Sequence, residues 1–174
     1  MPGFNIGGST GPPIAPKKDL HRAHRWRIVT LGGFVTRDNL LYARTLTLPT
    51  FSVEEELVMG SSIKYKFAKA INWEDVRVSF YDIIGLYEDL VKWQDAVYTP
   101  TTGINVADSY KRDSIFELVD GMGNMAGLQH ILKNSWPKSI SHSELNYESS
   151  GIKLIELTLS YDWAERTSVG AVAT

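Results

Sequence analysis

The 174-residue chain contains no cysteine. Disulfides, zinc–thiolate sites, iron–sulfur clusters and cysteine nucleophiles are therefore excluded. No asparagine begins an Asn-x-Ser/Thr glycosylation site, and no apolar run approaches the roughly 18 residues that a membrane helix needs. The N-terminal sequence MPGFNIGGSTGPP lacks the basic and then apolar pattern of a secretory signal peptide. These absences favour a protein made in a cytoplasm, with no membrane insertion by this chain.

The charge is nearly balanced overall, at −2, but it is unevenly distributed. Residues 1–30 carry five bases and one acid, whereas residues 31–174 carry 13 bases and 19 acids. A basic arm on an acidic body favours self-association over nucleic-acid binding, because the arm has no dense Lys/Arg block and few aromatics. Four of the seven prolines lie in the first 18 residues. We predict a flexible N-terminal arm at 1–23, one domain at 24–166 and a C-terminal tail at 167–174.

Short segments with alternating apolar residues predict many β-strands. The predicted strands are 24–31, 42–48, 51–58, 63–67, 76–80, 114–119, 129–136 and 155–163. Pro137 is expected to end the seventh of these. In the last one, the residues from Ile155 to Trp163 alternate between an apolar and a polar face.

A change to helical spacing predicts one helix over 83–98, with Ile84, Tyr87 and Leu90 on its apolar face. Asp82 is the expected N-cap, and Glu88 is expected to pair with Lys92 one turn later. Many strands and one helix predict a mostly β (α+β) fold, an antiparallel β-sandwich or barrel with one flanking α-helix.

Candidate catalytic groups are few. Glu54, Glu55 and Glu56 form the densest acidic cluster, but adjacent exposed acids are not the opposed, unlike carboxylates that sugar hydrolysis needs. His21 and His24 have a metal-ligand spacing with little acid nearby, and a surface position is favoured for both. We predict His130 to be half-buried in a sheet. The chain is therefore expected not to be an enzyme, with no catalytic residue, metal or cofactor.

The segment Gly121-Met-Gly-Asn-Met-Ala126 matches a degenerate G-x-G-x-x-A dinucleotide pattern, and Glu144 lies about 20 residues further on. No convincing helix follows it, so a hairpin turn is favoured. A small nucleotide-binding domain that uses this turn is the alternative from a different functional class.

Three long segments together resemble a known family. They are LPTFSVEEELVMGSSIKYKFAKAINWEDVRVSFYD, LVKWQDAVYTPTTGINVADSYKRDSIFELVDG and ILKNSWPKSISHSELNYESSGIKLIELTLSYDWAE. They resemble the tail tube proteins of contractile-tailed bacteriophages, over roughly residues 24–166. The resemblance implies hexameric rings whose inner strands join into one β-barrel, and which stack into a hollow tube inside a contractile sheath.

Further expectations follow from this resemblance. The partners would be other copies of the chain, the sheath protein, baseplate and tail terminator proteins, and transiently the tape measure protein and genomic DNA in the lumen. The location would be the virion tail, after assembly in the host cytoplasm. A baseplate tube-initiator or tube-terminator paralogue of the same fold is the alternative within this class.

Two sets of residues are predicted to serve assembly. The segment 51–60 suits an interface because its apolar residues would find no place in a monomer's core. The predicted subunit or ring contacts are Phe51, Val53, Glu54, Glu55, Glu56, Leu57, Met59 and Gly60. The predicted lumen-facing residues are Glu156, Thr158, Ser160 and Asp162. An acidic, hydroxyl-lined wall would repel phosphates and keep DNA mobile.

Overall fold

The structure is a computed structural model that describes residues 22–60, 63–120, 122–123, 125–143 and 151–167, with the backbone alone at 125–127. Nearly all of the predicted arm 1–23 therefore lies outside the described residues, as do His21 and Glu144. The predicted tail 167–174 is described only at Thr167. The domain boundaries stay predictions.

The described chain consists mainly of strands, with one helix longer than a single turn. In chain order the elements are β1 (Trp26–Leu31), α1 (Arg37–Leu40), β2 (Ala43–Leu46), β3 (Phe51–Met59), β4 (Lys64–Trp73), β5 (Val76–Tyr81), α2 (Leu86–Val97), β6 (Tyr98–Thr99), β7 (Gly103–Ile104), α3 (Ala107–Tyr110), β8 (Arg112–Val119), β9 (Met125–His142), β10 (Leu154–Ser160) and β11 (Trp163–Thr167). Seven of the eight predicted strands and the helix are present with shifted ends, and the predicted strand 155–163 is divided between β10 and β11. The short helices α1 and α3 were not predicted.

Seven strands form one antiparallel sheet in the order β1-β8-β9-β10-β5-β2, with β11 also paired to β9. The first half of β9 pairs with β8 and β11, and its second half pairs with β10. Alternate residues of both halves supply the core, which includes Ile28, Phe116, Leu132, Val78, Phe80, Ile155, Leu157 and Leu159. The predicted antiparallel β fold with a flanking helix is confirmed. The described strands do not close into a barrel, because the order ends at β1 and β2.

Strand β9 continues past Pro137, so the prediction that this proline ends the strand is wrong. The ladder slips at this point: Ser139 lies opposite Thr158, and Pro137 opposite Leu159, which leaves Lys138 as the extra residue. Proline is tolerated in a strand at such a bulge. Just before it, Asn134 has a φ of 56°. This bend lets one strand serve both halves of the sheet.

Helix α2 packs through Leu86, Leu90 and Trp93, which are fully buried. The Trp93 ring stacks on Phe34 with centroids 5.6 Å apart, and its Nε1–H donates to the Tyr110 carbonyl at 2.8 Å. The predicted apolar face is wrong at two positions, because Ile84 is fully exposed before the helix begins and Tyr87 is 44% exposed. The helix begins three residues later than predicted, so Ile84 lies outside it, and the stripe that faces the sheet is that of Leu86, Leu90 and Trp93.

The predicted electrostatics of this helix are also wrong in detail. The N-cap is Gly85, with a φ of 94°, while Asp82 forms an ion pair with Lys153 at 2.7 Å. Lys92 pairs with Asp89 at 3.6 Å rather than with Glu88. The Asp89 carboxylate also accepts hydrogen bonds from the Thr36 backbone N–H at 3.2 Å and from the Asn39 side chain at 3.1 Å. It thereby ties the helix to the segment around α1.

Candidate assembly surfaces

Strands β3 and β4 form a separate two-stranded hairpin. Every residue of both strands is exposed except Trp73, which is half-buried. Gly60 lies at the described end of the hairpin, where its N–H donates to the Ile63 carbonyl at 2.8 Å. A two-stranded hairpin is only marginally stable alone in water. This one therefore needs a covering surface that the described residues do not provide.

The hairpin joins the rest of the chain at an aromatic cluster. The Trp73 ring lies 5.0 Å from Phe51 and 5.9 Å from Tyr161, centroid to centroid. The Tyr161 hydroxyl donates to the Glu74 carbonyl at 2.8 Å. Burial, with the nearby Asp75 and Glu74 carboxylates, raises the pKa of Tyr161 to about 12. The base of the hairpin is thus anchored, while its outer part projects.

Both faces of the hairpin carry apolar side chains. Alternation along β3 places Phe51, Val53, Leu57 and Met59 on one face together with Glu55. The other face carries Glu54, Glu56 and Val58, and the register sets Phe67 opposite Glu56 and Tyr65 opposite Val58. The structure therefore exposes all the predicted contact residues of β3. Tyr65, Phe67 and Ile71 of β4 join them. None of the three was predicted as a contact, although the alternation of Tyr65 and Phe67 predicted a strand at 63–67.

A second surface lies on the outer side of the second half of the large sheet. The register places Glu156 between Ser79 and Ser141, and Thr158 between Arg77 and Ser139. Thr45 of β2 extends the row, and its hydroxyl is hydrogen-bonded to that of Ser79. We call this surface the hydroxyl face; it consists of Thr45, Arg77, Ser79, Ser139, Ser141, Glu156, Thr158 and Ser160. It brings together three of the four predicted lumen residues.

Asp162 belongs to a different environment. The predicted single strand is broken after Ser160, and Trp163, expected on the buried face, is 44% exposed at the start of β11. The Asp162 carboxylate accepts hydrogen bonds from Lys111 Nζ and from Asn134 Nδ2, both at 2.8 Å. These bonds, chiefly that from Lys111, lower the pKa of Asp162 below its usual range. Its negative charge is therefore paired within the chain.

His130 is more buried than predicted, at 4% exposure, on the inner side of β9. Neither ring nitrogen has a hydrogen-bond partner in the described part of the molecule. Burial, together with the charge of Arg166, lowers the pKa of the His130 imidazole. The lowered pKa favours the uncharged imidazole in this buried position.

The other candidate sites do not assemble in the described chain. His24 is exposed, and no group of three or more metal-ligating side chains occurs within the described ranges. The Gly121–Ala126 segment joins β8 to β9, whose antiparallel pairing runs up to Val119 opposite Met125. A strand, not a helix, follows this turn, so the turn offers no helix N-terminus to a diphosphate. None of the described helices has the length and apolar character to span a bilayer.

Comparison by sequence identifies no family on its own. No family model matches the chain. Two curated proteins are each 26% identical to it over 161 residues: the UDP-N-acetylglucosamine--N-acetylmuramyl-(pentapeptide) pyrophosphoryl-undecaprenol N-acetylglucosamine transferases of Thermotoga petrophila and Thermotoga maritima. The match covers 90% of this chain but only 42% of each transferase. The chain thus spans about two fifths of the length of these relatives.

Comparison by structure is more informative. The anti-feeding prophage tube terminating cap matches with a TM-score of 0.68 and 19% identity, over 94% of this chain and all of the cap chain. The sheath/tube terminator of the extracellular contractile injection system PVC gives 0.69 and 14%, over 88% and 100%. A chain of the PVC sheath-tube complex gives 0.63 and 15%, over 85% and 91%. The chain therefore has the fold of the tube and tube-terminator proteins of contractile injection systems, as the resemblance implied.

Proposed function

We propose that this chain is the structural subunit of the tube of a contractile tail. Its copies form hexameric rings that stack into a tube, and the lumen conducts DNA during genome ejection. The chain acts by assembly and not as an enzyme. Its partners are further copies of itself, the surrounding sheath protein, and the baseplate and terminator proteins at the tube ends, with the tape measure protein and DNA passing through the lumen.

The exposed hairpin is the observation that carries this proposal. Leu57, Met59 and Phe67 are all more than half exposed, and they lie on both faces of the same two strands. Contiguous exposed apolar surface of this kind is typical of a protein interface. Two apolar faces suit a segment that is enclosed between neighbours, which is the arrangement that stacked rings provide.

The hydroxyl face is the best candidate for the channel wall. Its small polar side chains offer DNA no apolar or strongly basic surface to bind. Glu156 and Arg77 are its only charged members, and their charges are opposite. The wall is therefore less acidic than the sequence alone suggested, since Asp162 lies outside this face and is paired with Lys111. A wall of near-neutral charge still avoids the counterion release that makes DNA bind to basic surfaces.

A tube terminator is the second candidate. The two terminator structures are matched over their full length, with TM-scores above that of the sheath-tube chain. A terminator forms one ring that ends the tube, whereas a tube subunit adds ring upon ring. The two roles differ in whether the ring presents a binding surface on one side or on both.

The transferase activity of the curated relatives is not carried over to this chain. The match spans less than half of those proteins. In addition, the strands around the Gly121–Ala126 turn are antiparallel, so the nucleotide-binding arrangement considered above is not built.

Electron microscopy of the purified full-length chain over a range of concentrations tests the proposal. Rods with a regular axial repeat and a central channel are the expected result. Single rings that do not grow with concentration would favour the terminator role. A species of about 20 kDa at all concentrations, without rings or rods, would overturn both.

A further inference from the structure

The two strands of the hairpin carry opposite charges. Strand β3 contains Glu54, Glu55 and Glu56 and no base. Strand β4 contains Lys64, Lys66 and Lys69 and no acid. One edge of the hairpin is therefore acidic and the other basic, although the whole hairpin is neutral.

These charges largely fail to meet inside the hairpin. The register sets Glu54 opposite Ala70, Glu55 opposite Ala68 and Glu56 opposite Phe67. One ion pair forms diagonally, between Glu55 and Lys66 at 2.7 Å, and both side chains are more than half exposed. Glu56, Lys64 and Lys69 take part in no ion pair with the described residues. The Glu54 carboxylate accepts a hydrogen bond from the Asn72 side chain at 2.7 Å. Half of the six charged side chains therefore make no contact of this kind with the described residues.

Among the described residues, neither outer edge of the hairpin has a strand partner. The described part of this sheet has two strands, of nine and ten residues, so each strand leaves one edge whose backbone groups pair with no other described strand. Long exposed edges of this kind pair readily with further strands. Like charges directly opposite each other on adjacent strands are destabilising, and opposite charges are stabilising.

From these observations we infer that the β3 edge of one copy pairs with the β4 edge of the next copy. The partner is a second copy of this chain, and Glu54, Glu55 and Glu56 of one hairpin lie along the lysines of its neighbour. The inference rests on the proposed ring assembly and names the surfaces that join its subunits. Copies related by rotation about a common axis bring β3 and the neighbouring β4 together antiparallel, so the alternation continues around the ring.

Other pairings satisfy the charges less well. Two β3 edges, or two β4 edges, would place like charges together. The strands that end the large sheet, β1 and β2, each carry one base and no acid, Arg27 and Arg44 respectively. They would suit the acidic edge but not the basic one. Pairing of β3 with a neighbouring β4 satisfies both edges, and because the contact joins unlike surfaces it repeats into a ring or helix.

Charge reversal tests this pairing with three variants of the full chain. The first carries Glu54→Lys, Glu55→Lys and Glu56→Lys, the second carries Lys64→Glu, Lys66→Glu and Lys69→Glu, and the third carries all six changes. A control carries Asp38→Lys, Glu88→Lys and Asp108→Lys, which change the net charge as the first variant does but at exposed sites outside the hairpin. Circular dichroism establishes that each variant is folded.

Assembly is then measured by sedimentation and electron microscopy at low salt. We expect the first and second variants alone to need about tenfold or more higher concentration to assemble than the wild type. We expect their equimolar mixture to assemble, the six-change variant to assemble alone, and the control to match the wild type. Concentrated salt should partly rescue the single variants, because about 1 M salt screens charges beyond roughly 3 Å.

The outcomes separate the two proposals. If the wild type forms rings or rods and the first two variants assemble equally well, the strand pairing is wrong while the tube function stands. The same holds if the two variants, when mixed, fail to assemble. If the wild type itself never forms rings or rods, the proposed function fails and the pairing falls with it.

Discussion

The Lys111 ammonium lies 2.8 Å from one carboxylate oxygen of Asp162 and 3.1 Å from the other. Asp162 follows the end of β10, and Lys111 immediately precedes β8. The Asn134 side chain, at the bend of β9, donates to the same carboxylate. Three elements therefore meet at one acid, at the point where the sheet changes from its first to its second half.

Replacing Asp162 with Asn should destabilise the fold in a pH-dependent way. The pKa of Asp162 is lowered in the folded state, so its stabilising effect is present at neutral pH and disappears as the pH falls below about 3.8 and through the folded pKa. The side chain is 38% exposed, so water screens the pair. We expect a loss of roughly 0.5–1 kcal/mol in the free energy of unfolding at pH 7. Urea titrations of the wild type and the variant at pH 7 and pH 2.5 measure this loss. An equal loss at both pH values would contradict the stabilising role of the ionised Asp162 carboxylate.

Gly32 and Gly33 provide a matched test of how helix α2 docks. Both have positive φ, 59° and 70°, but a Cβ on Gly32 would overlap the Trp93 ring, whereas one on Gly33 would meet no described atom within 4 Å. We expect Gly32→Ala to cost about 3 kcal/mol in unfolding free energy and Gly33→Ala about 1 kcal/mol. Thermal and urea unfolding check this. Equal losses for the two variants would show that the close approach of Gly32 to Trp93 does not contribute to the stability of the fold.

The apolar face of the hairpin should be required for assembly but not for folding. Val53 and Leu57 are 44% and 57% exposed, so changing both to Asp should alter the unfolding free energy by no more than about 0.5 kcal/mol each. The variant should nevertheless remain unassembled at concentrations where the wild type forms rods. Ile84→Asp with Ile104→Asp is the control, since both side chains are exposed outside the hairpin. Normal rods from the Val53/Leu57 variant would refute the interface.

The hydroxyl face can be tested for its place in the channel. The double variant Glu156→Lys, Thr158→Lys makes this face basic. It leaves the Lys111–Asp162 ion pair intact, whereas Asp162→Lys would break that pair. If the face lines the lumen, tubes should form normally while DNA ejection from particles slows or stops, because the added charges bind phosphates. Glu156→Gln with Thr158→Ser is the control. Unchanged ejection from particles with the Lys variant would place this face outside the channel.

Local periodicity was sufficient to predict most elements. Strands with a two-residue period, such as Val76–Tyr81, bury every second side chain on one side of a sheet, and this pattern is visible in the residues themselves. The helix was predicted for the same reason, from spacing near 3.6. Its phase was wrong because Leu86, Leu90 and Trp93 pack on the sheet, and only the position of the sheet selects which stripe is buried.

The surfaces depended on tertiary structure in a different way. The sequence predicted an extended strand at 51–58 with apolar and acidic residues. It did not predict that the partner strand β4 is equally exposed in the described part of the chain. The exposure of the hairpin depends on which strands pair with it, and no described strand of the large sheet pairs with β3 or β4. The predicted contact role of this segment stays a prediction, as does the predicted lumen role of Glu156, Thr158, Ser160 and Asp162.

The sequence by itself determined the antiparallel β class with one main helix, the absence of thiol chemistry and the family resemblance, because composition and short-range periodicity encode them directly. Only the tertiary structure decided that β9 passes through Pro137 and that Asp162 is paired with Lys111. It also decided that no other described strand pairs with the acidic or the basic strand of the hairpin. Each of these depends on contacts between residues far apart in the chain. Such contacts are set by how the strands pack together, and no local pattern of residues specifies them.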